Sequence, residues 1–252
     1  MKVRFQSKWA NHAARAGITL AAASVFFLLR PDIYGYTTGQ IRADYQKVLS
    51  RKIIAEYMRQ TPKPKLQIGA GSNNPAGWLN TDIEPSPDQA YLDATKPLPF
   101  RDGSLYYVFG EQVIEHVTYE EAIGFLREAH RVLVPGGKVR LVTPNLLSFV
   151  ALFGEQKPDT YIARKLDFHE WPKDSPDPAC LILNYQMRSW GHQFLYTPKM
   201  MRAALEKAGF NQIRQFTPGE TDDPNLKGVE IRSQTAWNDL NVFDSMAFEA
   251  TR

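Results

Sequence analysis

Apolar and polar positions alternate along this chain between short apolar runs and longer stretches of helical spacing. Leu66 to Ile68 is a short run stopped by Gly69-Ala70-Gly71, and Trp78 to Thr81 is another, closed by Asp82. Runs of that length bounded by turn residues read as buried strands. Tyr106 to Gly110, Lys138 to Thr143, Ile213 to Phe216 and Val242 to Glu249 add further strands. Helical spacing shows at Ile41, Tyr45, Val48, Leu49 and Ile53, which share one face of a helix over residues 40–60 that ends before Pro62. It shows again at Ile123, Leu126, Ala129 and Leu133, in a helix from Tyr119 that Pro135-Gly136-Gly137 turns into the next strand. Thr197-Pro198 opens a further helix, which Gly209 stops after Met201, Leu205 and Ala208. Strands alternating with helices require an α/β fold, a doubly wound, mostly parallel sheet with helices on both faces.

Two stretches fall outside the alternation. Residues 146–196 hold Pro172, Pro176 and Pro178, several aromatics and two of the five histidines, and read as a long irregular insertion. Beside the carboxyl ends of the strands it would form a substrate lid, the alternatives being a dimer contact or a mobile loop. At the other end, Ala16 to Leu29 carries no charge and is flanked by Lys2, Arg4, Lys8, Arg15 and Arg30. A helix of that length covers about 21 Å against roughly 30 Å of hydrocarbon, too short to span a bilayer comfortably. Leu28-Leu29-Arg30-Pro31 offers no small-residue cleavage site. Residues 1–35 therefore read as a packed or subunit-contact helix, a homodimer contact included, ahead of a peripheral anchor at a membrane surface. The domain itself spans 36–252, with its lid at 146–196.

Composition narrows the class. With 252 residues and 43% apolar content the chain can bury one large α/β core. Its single cysteine, Cys180, rules out an intrachain disulfide and suits a reducing, cytoplasmic location. A net charge of +3, without Lys/Arg runs interleaved with aromatics, argues against a nucleic-acid partner.

Spacing then decides between ligands at the glycine turn. Glycine there lets a backbone approach a ligand closely, and Asp82 at a strand's carboxyl end can accept from a ribose diol, with Glu84 as its alternative. Dinucleotide sites want three glycines opening a helix and an acid about 20 residues on. Here Asn73 replaces the third glycine and Asp82 follows Gly69 by 13 positions, which leaves no room for a full helix. A nicotinamide oxidoreductase is disfavoured, and a nucleoside cofactor without phosphates fits better.

In its "LQIGAGSNN", "LNTDIEP", "LDATKPLPFRDGS" and "HRVLVPGGKVRLVTPN" blocks the chain resembles the class I S-adenosylmethionine-dependent methyltransferases, well over 64–145 and more loosely over 190–250. With "GWLNTD" after the turn and a late "WGHQFLY" it is most similar to a subset associated with polysaccharide or surface-glycan assembly. The resemblance implies a Rossmann-like sheet of seven strands, the last antiparallel, and S-adenosyl-L-methionine as cofactor. It implies that Gly69, Ala70 and Gly71 face the cofactor's methionine, Asp82 its ribose and Asp93 its adenine amino group, with Leu98 flanking the adenine. Asp93 could instead cap a turn before Thr95. The chain departs from the pattern at Gln67, Asn73 and Tyr106. Those departures motivate a second reading, a cofactor-binding or regulatory protein that has lost catalysis.

For catalysis the expectation is methyl transfer to a small molecule or glycan precursor, at oxygen. The resemblance places Glu111 at the border where donor and acceptor meet. A hydroxyl acceptor needs its proton removed, and His192 in the lid and His116 in "EQVIEHV" are the candidates. Each has a structural alternative, a lid anchor for His192 and a helix-start hydrogen bond for His116. His130, inside its helix, reads as a packing residue. Glu111, Glu115, His116 and His192 could form a mixed carboxylate and imidazole site. No metal is expected, because adjacent residues such as Glu115 and His116 point about 100° apart on a regular helix.

Overall fold

The computed structural model describes residues 46, 48–155, 158–235 and 238–252. The expectations for residues 1–35, and for the start of the helix over 40–60, lie outside the described residues. Residues 50–252 form one compact unit.

A helix over 50–60 (α1) leads to β1 (Lys65–Ile68). Then follow β2 (Leu79–Asp82), β3 (Ala90–Tyr91), β4 (Leu105–Glu111), α2 (Tyr119–Val132) and β5 (Leu133–Pro144). The remainder is α3 (Leu146–Ala151), α4 (Asp159–Phe168), α5 (Pro178–Arg188), α6 (Pro198–Lys207), β6 (Asn211–Phe216), α7 (Asn238–Asp244) and β7 (Ser245–Thr251). The seven strands form one sheet in the order β3-β2-β1-β4-β5-β7-β6. β1 to β5 run parallel, and β7 lies antiparallel between β5 and β6. The α/β sheet of seven strands with an antiparallel last strand is the one expected.

Alternate residues of the strands bury opposite faces. Leu66, Val108, Val139, Leu141 and Phe248 pack against Leu126, Ala129, Met201 and Leu205 of α2 and α6, with Ile54 of α1. Phe109, Val142 and Ala247 pack on the other face with Trp78, Leu226 and Val229. α2 begins where Thr118 and Glu121 cap each other reciprocally, satisfying amides that the first turn leaves unpaired.

Two expectations need correction. Residues 146–196 are not irregular: they carry α3, α4 and α5, whose Phe149, Leu152, Tyr161, Leu166 and Ile182 form their own apolar cluster with Leu240. Pro172 and Pro176 fall in the connection between α4 and α5, and Pro178 starts a helix rather than breaking one, since a first-turn proline lacks only an amide that would be unpaired anyway. Pro178 opens α5 behind Asp177, whose side chain accepts from the Cys180 amide (3.0 Å). Likewise the strand expected from Val242 begins only at Ser245, residues 238–244 being helical. Leaving β1, the strand order runs one way to β2 and β3 and the other way to β4 and β5. At such a reversal the connections diverge and open a crevice at the carboxyl ends of the strands.

Candidate active site at the carboxyl ends of the strands

Several of the residues expected at a site lie at or just beyond those carboxyl ends. Gly69 follows β1 with φ +63°, and a Cβ there would lie 2.2 Å from Val113 Cγ2, so a side chain is excluded on two counts. Ala70 is buried, its amide donating to Thr81 O (2.9 Å), which ties the turn to β2. Gly71 has φ +52° and faces open space, and its amide donates to Asp82 Oδ2 (2.8 Å). Asp82 Oδ1 accepts from the Glu84 amide (2.9 Å), while Glu84 itself is exposed. Glycine turn and acid are thus one hydrogen-bonded unit. Gln89 braces it from outside, donating to Gly71 O (2.8 Å) and Asn74 Oδ1 (2.9 Å). Asp93 Oδ1 accepts from both the amide (2.8 Å) and the hydroxyl (2.7 Å) of Thr95, the turn-capping role weighed for it. Leu98 is 3% exposed and belongs to the core, with its amide donating to Glu128 (2.7 Å).

Across the crevice, Glu111 ends β4. Its carboxylate accepts from the amides of Ile231 (2.9 Å) and Arg232 (3.1 Å), so it anchors the 230s segment. Burial raises its pKa, and those two amides pull the other way. Next comes Gln112, held at φ +56°, then Val113 against Gly69, and then a single 3-10 turn at Ile114–His116. A few residues thus connect the glycine turn to a second compartment.

That compartment is a cavity of about 380 Å³ lined by Gln112, His116, Gln186, Trp190, His192 and Arg232, with a Lys165–Asp244 ion pair (3.0 Å) in its wall. The rings of His116 and His192 meet edge to face, 4.8 Å between centroids. His192 Nδ1 lies 2.6 Å from Gln186 O. A carbonyl oxygen can only accept, so Nδ1 carries the proton and Nε2 keeps its lone pair. The Trp190 backbone acts to raise the His116 pKa, against the larger effect of burial. Burial lowers the pKa of both rings, which favours neutral imidazoles near pH 7. Beneath them Glu115 is 0% exposed. Thr143 Oγ1 donates to its Oε2 (3.0 Å), and Oε1 has no partner among the described residues. Burial pushes its pKa up to about 7.

The expectation that Glu115 and His116 diverge is overturned. One 3-10 turn followed by extended Val117 replaces the regular helix it assumed. One ligand-type atom each from Glu115, His116 and His192 lies within 4.8 Å of the others. Glu111, spent on the 230s amides, stands outside that group. His130 packs edge to face on Phe210 (5.1 Å), away from the cavity. Sequence reasoning missed Arg232, Gln112, Gln186 and Trp190 as cavity residues. Only Trp190, beside His192 in "WGHQFLY", carried a local signal.

Residues 66–141 match the family model described as a methyltransferase domain. Over this stretch the chain is similar to a methyltransferase domain. The match covers β1 to most of β5 and stops short of His192 and Arg232. A comparison with curated proteins finds no match. Among solved structures the chain is similar to an S-adenosylmethionine-dependent methyltransferase from Mesorhizobium loti (17% identity, TM-score 0.46, covering 80% of this chain and 96% of that one). It is also similar to one from Archaeoglobus fulgidus (15%, TM-score 0.44, 86% and 99%). A third is phosphoethanolamine N-methyltransferase 2 of Haemonchus contortus (14%, TM-score 0.41, 80% and 52%).

Proposed function

We propose that this chain transfers a methyl group to a hydroxyl of a small molecule or glycan precursor seated in the cavity of His116, His192 and Trp190. The observation that carries the reading is the pair of neutral imidazoles in a cavity that Gln112 and Val113 join directly to the glycine turn. When bound, S-adenosylmethionine supplies a methyl on a sulfonium sulfur, which forms the new C–O bond as the S–C bond breaks and leaves a neutral thioether.

The chain's own residues bind, orient and exclude water. Gly71, whose missing side chain leaves open space, lets the turn approach the cofactor, and Asp82 is placed to receive the ribose hydroxyls. Asp93 keeps one carboxylate oxygen for the adenine amino group, its other being taken by Thr95. Glu111 is a positioning residue, because it fixes the backbone that delivers Arg232 to the cavity. Residues 146–196 act as the lid, with His192 and Trp190 at its cavity edge. His192, its Nδ1 proton directed at Gln186 O, turns its free Nε2 to the acceptor hydroxyl and activates it, with His116 beside it.

The test is transfer of labelled methyl from S-adenosylmethionine to a panel of nucleotide sugars, glycan intermediates and simple alcohols. Label recovered as an alkali-stable ether supports the reading. Label recovered only on amines, or on nothing in the panel, would sink it. Once an acceptor is found, His192→Ala should keep S-adenosylhomocysteine affinity by calorimetry and lose roughly 10²-fold in turnover.

A further inference from the structure

We propose that Glu115, His116 and His192 bind a divalent ion of the zinc class, with its remaining coordination position open to the acceptor cavity. The inference rests on the reading above only in assigning that cavity to the acceptor, and it makes the two imidazoles ligands of an activating ion in place of direct bases. Three observations converge on the ion. First, the His192 imidazole is already oriented by the backbone, through Gln186 O, and the His116 ring lies edge to face against it. Metal-binding histidines are held in this way, with one ring N–H given to a carbonyl and the other nitrogen free to ligate.

Second, Glu115 is fully buried, Thr143 occupies Oε2, and Oε1 is left without a partner. A buried carboxylate oxygen with nothing to accept from is costly, and two neutral rings offer it no cation. An ion between them would. Third, the ligand atoms fit. All lie within 4.8 Å of one another. Any three points that close share a centre no more than about 2.8 Å from each, so bonds of about 2.0 to 2.2 Å require shifts under 1 Å.

The donor set selects the ion class. Two nitrogens and one carboxylate oxygen suit zinc, cobalt or iron(II) rather than magnesium or calcium, which prefer oxygen throughout. Three protein ligands with an open position make a working site rather than a closed structural one. Here the open side faces the cavity that Gln112, Trp190 and Arg232 line. An acceptor hydroxyl bound there would have its acidity raised by the ion, and its proton would pass to solvent water before transfer.

The experiment uses the full chain without a histidine tag, stripped of metal by chelator dialysis. Zinc chloride is titrated by calorimetry and cobalt chloride by visible absorption. One equivalent is expected, with cobalt bands of four- or five-coordination. Glu115→Gln and His192→Gln should each weaken zinc binding at least 10-fold, whereas His130→Gln, in a residue outside the cavity, should not. S-adenosylhomocysteine affinity should be unchanged throughout, which also reports that the variants are folded. Should the variants fail to fold, a zinc-dependent rise in the melting temperature of the unmutated chain, absent with magnesium, carries the same information. No zinc uptake by the unmutated chain, or equal uptake by the variants, overturns the site. Methyl transfer that survives complete metal removal would also overturn it while leaving the methyltransferase reading intact. Zinc bound as expected, with no hydroxyl acceptor ever methylated, would overturn that reading and leave the site.

Discussion

Gly69 and Gly71 look alike in sequence and do different work in the crevice. Gly69 has no room for a side chain, with Val113 Cγ2 only 2.2 Å from where a Cβ would be, whereas Gly71 has open space around it. Gly69→Ala should therefore lower the thermal midpoint, by about 1 to 3 kcal/mol of stability, because it adds a clash with the Val113 side chain to an unfavourable φ. Gly71→Val should lose mainly cofactor affinity, read by calorimetry. Asp82→Ala should weaken cofactor binding by about 1 to 3 kcal/mol, since it removes a charged acceptor and frees the Gly71 amide. Unchanged affinity in a folded variant would shift that role to Glu84. The turn and the acid were legible as a pair because what joins them is local: one turn and one strand end, 13 positions apart. Arg232 was not, because what brings it to the cavity is Glu111, far away in sequence and recognising only its backbone amide.

Elements were legible where one periodicity ruled and misread where two signals competed. α2 shows a clean helical stripe and a reciprocal cap, and its bounds fall within one residue of expectation. Residues 238–251 merge a short helix with a strand, so apolar Val242 and Phe243 read as strand although only Ser245–Thr251 pairs. The connection between β6 and α7 carries no periodicity at all, yet it is fastened by Asp223. That carboxylate ion-pairs with Lys138 (2.8 Å) and accepts from Tyr107 Oη (3.0 Å) and the Asn225 amide (3.0 Å). Burial pulls its pKa up, but these partners outweigh burial and hold it at about 2, below the ordinary 3.8. Since the folded pKa is the lower one, its stabilisation is complete above 3.8 and drains away as pH falls toward 2. Asp223→Asn should lose on the order of 1 to 2 kcal/mol at neutral pH and flatten that acid limb, measured by urea unfolding across pH.

For the molecule as a whole, the sheet and the segment that feeds the cavity are joined through one buried guanidinium. Arg140 on β5 donates to Glu249 on β7 (2.5 Å), to Glu230 (2.6 Å) and to Glu220 O (3.0 Å). Arg140→Ala should cost about 3 to 5 kcal/mol, because it leaves two carboxylates buried without a cation. Combining Arg140→Met with Glu230→Gln and Glu249→Leu should recover much of that loss in the melting temperature, as no charge is then stranded. No such pairing could be read from sequence, with partners 90 and 109 residues apart. The strand order has a kinetic consequence of its own. Among the described residues β6 pairs only with β7, and β7 fills the edge of β5, matching Lys138 to Thr251. A refolding chain that has assembled β1 to β5 must hold an open, hydrogen-bond-hungry β5 edge until a distant segment arrives. Edges of that kind pair with other molecules as readily as with their own. The yield of refolding should therefore fall as protein concentration rises, and a peptide copying residues 245–251 should slow recovery by occupying the vacancy first.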